Sequence, residues 1–310
     1  MRSDREEPAD RPRADGARDM TPPKLSRPVL PPPLPLAHGE LSAQDALELR
    51  ALKQQIRSAS GLFCEGYKEK CLRRRLAVRM RARGVHRYAD YAALLEADPT
   101  EYQRLVHTVT INVSKFFRNP EVWQAIRSVV LPELLDRPGA VRAWSAGTAT
   151  GEEPYTLAIL VREYLADAGR ENEVARVDIQ ATDIDTDALE KARAGVYPAL
   201  ALVETPDAVR ARWFQPGGPP YHLRAEIRSM VRFTHGDLIN DPAPTDLDLV
   251  FCRNVFIYFE RELQESLLDR FVDALKPRGW LVLGKVETLL GPVSRRLEVV
   301  RSRERIYRKR

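Results

Sequence analysis

Trp144-Ser145-Ala146-Gly147-Thr148-Ala149-Thr150-Gly151-Glu152-Glu153-Pro154-Tyr155 is the stretch on which the fold turns. It closes a short strand read over 141–145, crosses a loop with two glycines and opens a helix read over 154–168, with Pro154 near the first turn. Small residues in such a loop let the backbone approach a ligand closely. The loop is not the dinucleotide G-x-G-x-x-G, and it is not a P-loop, because no Gly-Lys-Ser/Thr follows. Glu152 and Glu153 at the helix start would repel a phosphate. A ligand with positive charge and no phosphate fits, and S-adenosylmethionine, with its amine and sulfonium, is one. Taken alone, the loop serves equally well as a capped helix start.

Downstream, strands and helices alternate. Strands read over 177–182, from 231, over 247–252, 279–284 and 304–307; helices read over 186–194 and 261–275, the last ending at Pro277. Such alternation gives a mostly parallel, doubly wound α/β sheet, whose ligands bind beyond the C-terminal strand ends. Residues 197–230, with Pro216-Gly217-Gly218-Pro219-Pro220, interrupt it as a small antiparallel β insertion. At the strand ends lie Asp183, placed to accept two ribose hydroxyls, and Asp237, placed to accept from an adenine amine, while Asp185 and Asp187 read as helix caps. Asn254 and Tyr258, in Phe251-Cys252-Arg253-Asn254-Val255-Phe256-Ile257-Tyr258-Phe259, lie beyond the fourth strand. The Asp/Asn-Pro-Pro-Tyr/Phe motif of amine and base methylases is absent, which counts against a nitrogen substrate.

Upstream, residues 41–115 read as helical, over 41–60, 67–83, 88–97 and 101–110, with short connections that suit a bundle. Asn112-Val113-Ser114-Lys115-Phe116-Phe117-Arg118 joins bundle to sheet, and junction clefts often hold ligands. Residues 1–40 carry nine of the 23 prolines and seven acids against seven bases, and read as a disordered tail, with a polyproline ligand as the alternative. The chain of 310 residues suggests two domains, since one core does not easily fill that length. No apolar run approaches a membrane span and the N-terminus has no signal-peptide core. Three cysteines without metal spacing predict no metal site and a reducing cytoplasm. The net charge of +5 resides in the bundle: residues 41–115 carry 14 bases against eight acids, and Lys68 to Arg87 carry nine against one.

Together these motifs resemble those of the CheR family, the glutamate methyltransferases of bacterial chemotaxis. Matching in order are Asn112-x-Ser114-x-Phe116-Phe117-Arg118, the Trp144–Tyr155 loop, Thr182-Asp183-Ile184-Asp185, Phe251–Phe259, and Gly284 with Glu287, over about residues 45–310. The resemblance implies a Rossmann-like class I methyltransferase domain, 116–310, behind an all-helical receptor-docking domain, 41–115. It implies S-adenosylmethionine held by Asn112, Ser114, Arg118, Gly147, Glu152 or Glu153, Asp183, Asp237, Leu238, Asn254 and Val255, with Arg118 and Tyr258 at the methyl-transfer point. Its substrate would be glutamates on the cytoplasmic methylation helices of chemoreceptors. Arg73, Arg74, Arg75, Arg79, Arg81 and Arg83 would then dock those acidic helices. Only 18 residues separate Phe214 from Phe233, around a Pro-rich turn, so no tether to a receptor C-terminal pentapeptide is expected, and the enzyme is expected to be a monomer. The departures are small: Thr148-Ala149 for Cys-Ser or Ala-Ser, Ser114 for Thr, and Lys285-Val286 for His-Ser. Two other readings stand beside this one: an RNA methyltransferase whose basic helix tracks phosphates, and a non-catalytic S-adenosylmethionine-binding regulatory module.

Overall fold

The computed structural model describes residues 40–310, so the expected Pro-rich tail lies outside the described residues apart from Glu40. Four helices come first. In α1 (Ala43–Ser60) the Ser42 hydroxyl accepts from the Asp45 amide and Gly61 closes the end in the left-handed region. Leu49, Leu52 and Ile56 turn inward at helical spacing. Helix α2 (Glu69–Ala82) starts two residues later than its sequence suggests, because Tyr67 instead makes an antiparallel bridge to Phe259. Helices α3 (Tyr88–Ala97) and α4 (Thr100–Thr110) complete the bundle.

A buried carboxylate ties α2 to α4. Glu101 is 0 % exposed; it accepts from Arg79 Nε and Nη2, both at 2.8 Å, and from the Tyr91 hydroxyl at 3.0 Å, with Arg83 Nη1 at 3.3 Å. Burial pushes the Glu101 carboxyl up, but Arg79, Tyr91 and Arg83 outweigh it and hold it below the ordinary 4.5. A lowered folded-state value gives stability that is present above 4.5 and lost as pH falls through the lowered value. Glu101→Ala is expected to cost about 3 kcal/mol in denaturant titration, the low end for breaking a buried pair, since Arg79 and Arg83 keep some water. Its loss on going from neutral pH to pH 3 should also be smaller than that of the native chain, and an equal loss in both would remove Glu101 from this role.

The chain then runs through α5 (Pro120–Ala125), a π turn at Ile126–Val130 and α6 (Leu131–Leu135), a segment in which the sequence reading placed no helix. Next come β1 (Val141–Ala146), α7 (Glu152–Asp167), β2 (Val177–Asp183), α8 (Thr186–Ala194), β3 (Val196–Tyr197), α9 (Asp207–Trp213), β4 (Tyr221–His222), α10 (Ala225–Arg228), β5 (Val231–His235), β6 (Leu247–Cys252), α11 (Arg261–Ala274), β7 (Leu275–Leu283), β8 (Leu297–Arg301) and β9 (Ile306–Lys309). The main sheet has the order β5-β2-β1-β6-β7-β9-β8, parallel from β5 to β7 and antiparallel at β9 and β8. The order reverses between β1 and β6, which opens a crevice there.

Three local expectations change. Helix α11 stops at Ala274, and Pro277 lies inside β7 rather than at the helix end. Pro277 disfavours the helical region for Lys276 before it, and the chain is already extended one residue earlier, at Leu275. Strand β8, whose Leu297-Glu298-Val299 is flanked by arginines, escaped the sequence reading. The antiparallel insertion carries more helix than strand: a two-residue ladder of β3 with β4 and a single antiparallel bridge from Phe214 to Leu223, among short helices. Phe116 from the junction anchors it, edge-on to Tyr197 at 4.8 Å and Phe214 at 5.2 Å.

Two apolar clusters lie among the described residues, one on each face of the sheet. Trp144, Val250, Leu281 and Leu283 on one face join α11 and the helical bundle in a single cluster. Ala143, Ile179, Phe251 and Val282 on the other face join α5, α6, α7 and the insertion. Strand alternation thus welds the bundle to the sheet.

Candidate functional site

The crevice between the ends of β1 and β6 opens into a cleft lined by the loops after both strands. The loop after β1 forms its floor. Gly147 has φ +76, and a Cβ there would meet Val255 Cγ2 at 2.6 Å, so only glycine lets the two loops close on each other. Ala149 (φ 49) donates its amide to Asp183 Oδ2 at 2.7 Å, while Asp183 Oδ1 accepts from the Asp185 amide at 3.0 Å. Burial raises the Asp183 carboxyl above the ordinary value, against the pull of these amides.

Asp185 caps α8 through the Ala188 amide at 3.1 Å, as its sequence position suggests. Its other oxygen faces away from α8, 2.7 Å from His107 Nδ1 and within reach of the Asn112 amide. The C-terminal end of α4 is thereby fixed to the end of β2. Ile111, between them, is held at φ 51, a strained conformation for a β-branched residue that lines the cleft.

The far wall follows β6. Arg253 is buried, donates from Nη2 to the Arg118 carbonyl at 2.9 Å and to Asn119 Oδ1 at 3.1 Å, and lies with Nη1 3.6 Å from Glu153 Oε2. Glu153 also accepts from the Ser145 hydroxyl at 2.8 Å; burial raises its carboxyl and Arg253 opposes that. Beyond Arg253, Asn254 sits at φ 64. Glu287 holds this turn: its carboxylate accepts from the Asn254 amide at 3.0 Å, the Phe256 amide at 2.8 Å and the Gly284 amide at 2.6 Å. A Cβ at Gly284 would meet Glu287 Oε2 at 2.6 Å, which explains the glycine.

Of the residues picked out in the sequence, the cleft brings together Asn112, Ser114, Arg118, Gly147, Glu153, Asp183, Asp237, Leu238, Asn254, Val255 and Tyr258. Glu152 is corrected: it is buried beneath the loop and accepts from the Thr150 hydroxyl, so of the two glutamates only Glu153 lines the cleft. The first residue of a helix and the second point about 100° apart, and here the first turns into the core. Asp237 lines the cleft with its carboxylate already bonded to the Ile239 amide and the Asn240 side chain. The sequence reading missed Leu62, Phe63 and Tyr67 of the bundle, which form part of the wall; their only sequence signal is an apolar run just before a basic helix.

The basic helix divides in two. Arg73 is buried, Arg79 grips Glu101, and Arg83 reaches Asp98 and Glu101. These three face the bundle and are withdrawn as docking residues, because a stripe of 3.6-residue period necessarily turns part of any basic run inward. Arg74 is exposed, and Arg75 and Arg81 are half-buried. Arg75, Arg118 and Arg74 all lie near enough to Tyr258 to act on its phenol, whose value burial nonetheless raises. The Lys68 amide and Nζ donate to the Tyr258 and Ile257 carbonyls at 2.8 and 3.0 Å, which seats α2 beside the mouth.

The cleft suits a cationic, phosphate-free nucleoside ligand. It offers the carboxylates of Glu153, Asp183 and Asp237, apolar surface at Ile184, Leu238, Ile239 and Val255, and a buried Thr148 hydroxyl that has no hydrogen-bond partner among the described residues. Comparison with known proteins agrees. Residues 112–306 match the family described as CheR methyltransferase, SAM binding domain, and residues 47–110 match the CheR methyltransferase all-alpha domain. The chain is 35% identical over 246 residues to a chemotaxis protein methyltransferase of Klebsiella aerogenes, covering 77% of this chain and 82% of that protein. It is 35% identical over 257 residues to one from Salmonella typhimurium, covering 80% and 85%. An uncharacterised 104.1 kDa protein of Rhodobacter capsulatus is 36% identical over 276 residues, covering 88% of this chain but only 29% of that protein. Among the described residues no helix is long and apolar enough to cross a membrane.

Proposed function

The chain belongs to the CheR family of S-adenosylmethionine-dependent chemotaxis methyltransferases, and on that premise we propose that it esterifies glutamate side chains on the cytoplasmic methylation helices of chemoreceptors. The observation that carries this reading is the mouth of the cleft, where Arg118 and Tyr258 stand beside the exposed cations of α2. A carboxylate substrate suits that setting. Bound S-adenosylmethionine supplies a sulfonium methyl group open to displacement by a carboxylate oxygen. Glutamate is already ionised at neutral pH, so the protein needs no general base. Arg118 orients the incoming carboxylate, and the Tyr258 phenol, protonated at neutral pH as an ordinary tyrosine is, donates a hydrogen bond at the same point. Glu153 takes the cofactor's amine and Asp183 its ribose; Asn112, Ser114, Gly147, Asp237, Leu238, Asn254 and Val255 line the rest. Residues 41–115 act as the docking domain and 116–310 as the catalytic one, in a cytoplasmic monomer that works without a pentapeptide tether.

Incubation with methyl-labelled S-adenosylmethionine and receptor signalling domains is expected to leave base-labile label on receptor glutamates. Label on RNA, or none on protein, overturns the reading. In the same assay Arg74→Glu with Arg75→Glu should raise KM for the receptor about tenfold at low salt, with cofactor Kd unchanged. A matching loss of cofactor affinity would contradict a docking role.

A further inference from the structure

The charge of the catalytic domain is not evenly spread. Residues 116–310 carry 28 bases against 29 acids, yet the last twenty, 291–310, carry eight against two. These twenty residues comprise a short 3₁₀ turn, Pro292–Arg296, and the hairpin of β8 and β9. Away from the tip, Arg296 pairs with Asp269 and Asp273 and Arg308 with Glu133 and Glu298, while Lys309 and Arg310 bond to the Leu275 and Leu297 carbonyls. At the tip Arg301, Arg303 and Arg305 pair with no carboxylate among the described residues; Arg301 and Arg305 bond only to the carbonyls of Val300 and Lys285.

The tip also has a defined position. The Leu283 amide donates to the Arg305 carbonyl at 3.0 Å, and Ile306 pairs with Val282, so the tip stands at the C-terminal end of β7. That is the end at which β1 and β6 open into the cleft. Strand β9 is two strand spacings, about 10 Å, from β6, whose end carries Asn254. Arg305 is held at φ 58 and its Nε bonds to Lys285, next to Val286, which is 72 % exposed. A non-glycine residue in the left-handed region costs free energy, which the surrounding bonds must offset. The tip is therefore a fixed basic edge with an apolar neighbour and no carboxylate partner among the described residues, at the end of the sheet that opens into the cleft.

We propose that the Arg301–Arg305 tip is a second docking surface, which grips an acidic stretch of the receptor at the end of the sheet that opens into the cleft; this rests on the receptor-methylation reading above. A helix with its side chains is about 10–12 Å across, so a helix seated at the mouth, or the neighbour packed against it, reaches the tip. With α2 seated beside the mouth and the hairpin tip at the same end of the sheet, two basic edges meet the substrate. They orient the bundle as well as attract it.

The test compares the full-length enzyme with Arg301→Glu/Arg303→Glu and Arg301→Lys/Arg303→Lys in methylation of soluble receptor fragments across a salt series. The charge-reversed variant is expected to raise KM about tenfold at low salt and to flatten its salt dependence, with kcat and cofactor Kd unchanged; the lysine variant should stay close to wild type. Unchanged KM in the charge-reversed variant, with wild type active, overturns this proposal alone, whereas a wild type that esterifies no receptor overturns the premise and the proposal with it. Phosphatidylserine vesicles supply the remaining arm. If they bind wild type but not the charge-reversed variant while KM for soluble fragments stays put, the surface meets a membrane and the proposal falls.

Discussion

Arg118→Ala is expected to lower kcat for receptor methylation by roughly 10²–10³-fold while cofactor Kd changes only a few-fold. The size follows from the kind of catalysis available. With no proton to move, the protein contributes mainly position and charge, and a misaligned carboxylate loses most of that. Arg118 is built for fixed aim. Phe117 at φ 54 and Asn119 at φ 61 flank it, its carbonyl is held by Arg253 Nη2 at 2.9 Å, and its own Nη1 donates to the Val113 carbonyl at 3.2 Å. Arg118→Lys keeps the charge but loses the planar fork, and should recover only part of the rate. Both variants should fold, because the side chain is only half-buried. Turnover within a few-fold of wild type in the alanine variant would take Arg118 out of the reaction.

Glu287→Ala is expected to weaken cofactor binding by about 100-fold or more and to lower thermal stability as well. Three amide hydrogens, those of Asn254, Phe256 and Gly284, converge on this carboxylate. Each buried N–H left without a partner costs about 1–3 kcal/mol, so the turn will rearrange rather than bear all three. Asn254 and Val255 belong to that turn and line the cleft. The effect should therefore appear first in cofactor affinity, read by calorimetry with S-adenosylhomocysteine. Glu287→Gln keeps one carbonyl acceptor but sets an NH2 group against an N–H donor, and should fall between the two. If the alanine variant binds the product within about threefold of wild type, the turn is held by something else.

Much of this could be read from the chain before any coordinates. The strand–glycine loop–helix passage at 141–155 and the acids closing successive strands are local patterns, and the cleft follows from them once the sheet order is known. What escaped depends on partners far apart in sequence. Nothing near Glu152 and Glu153 tells which of them turns into the core. Arg79 reads as a docking cation until Glu101, 22 residues away, is seen beneath it. The bundle's share of the cleft wall, through Leu62, Phe63 and Tyr67, depends on the bridge from Tyr67 to Phe259. The basic tip of the last hairpin was hidden by averaging, because its excess is cancelled by acids elsewhere in the same domain.

The weld between bundle and sheet limits how such an enzyme can change its clients. Leu52, Leu76 and Tyr91 share one apolar cluster with Trp144 and Leu281, and the Gly66 carbonyl accepts from the Glu260 amide at 2.8 Å. A bundle transplanted from a relative would bring half a core and a piece of cleft wall that do not match the new host. Exchange of whole recognition modules, the common route by which multidomain proteins acquire new targets, is closed to this architecture. With the receptor held as proposed, retargeting is left to point substitutions on the outward face of α2 and the hairpin tip, where side chains meet water and the interior does not register the change.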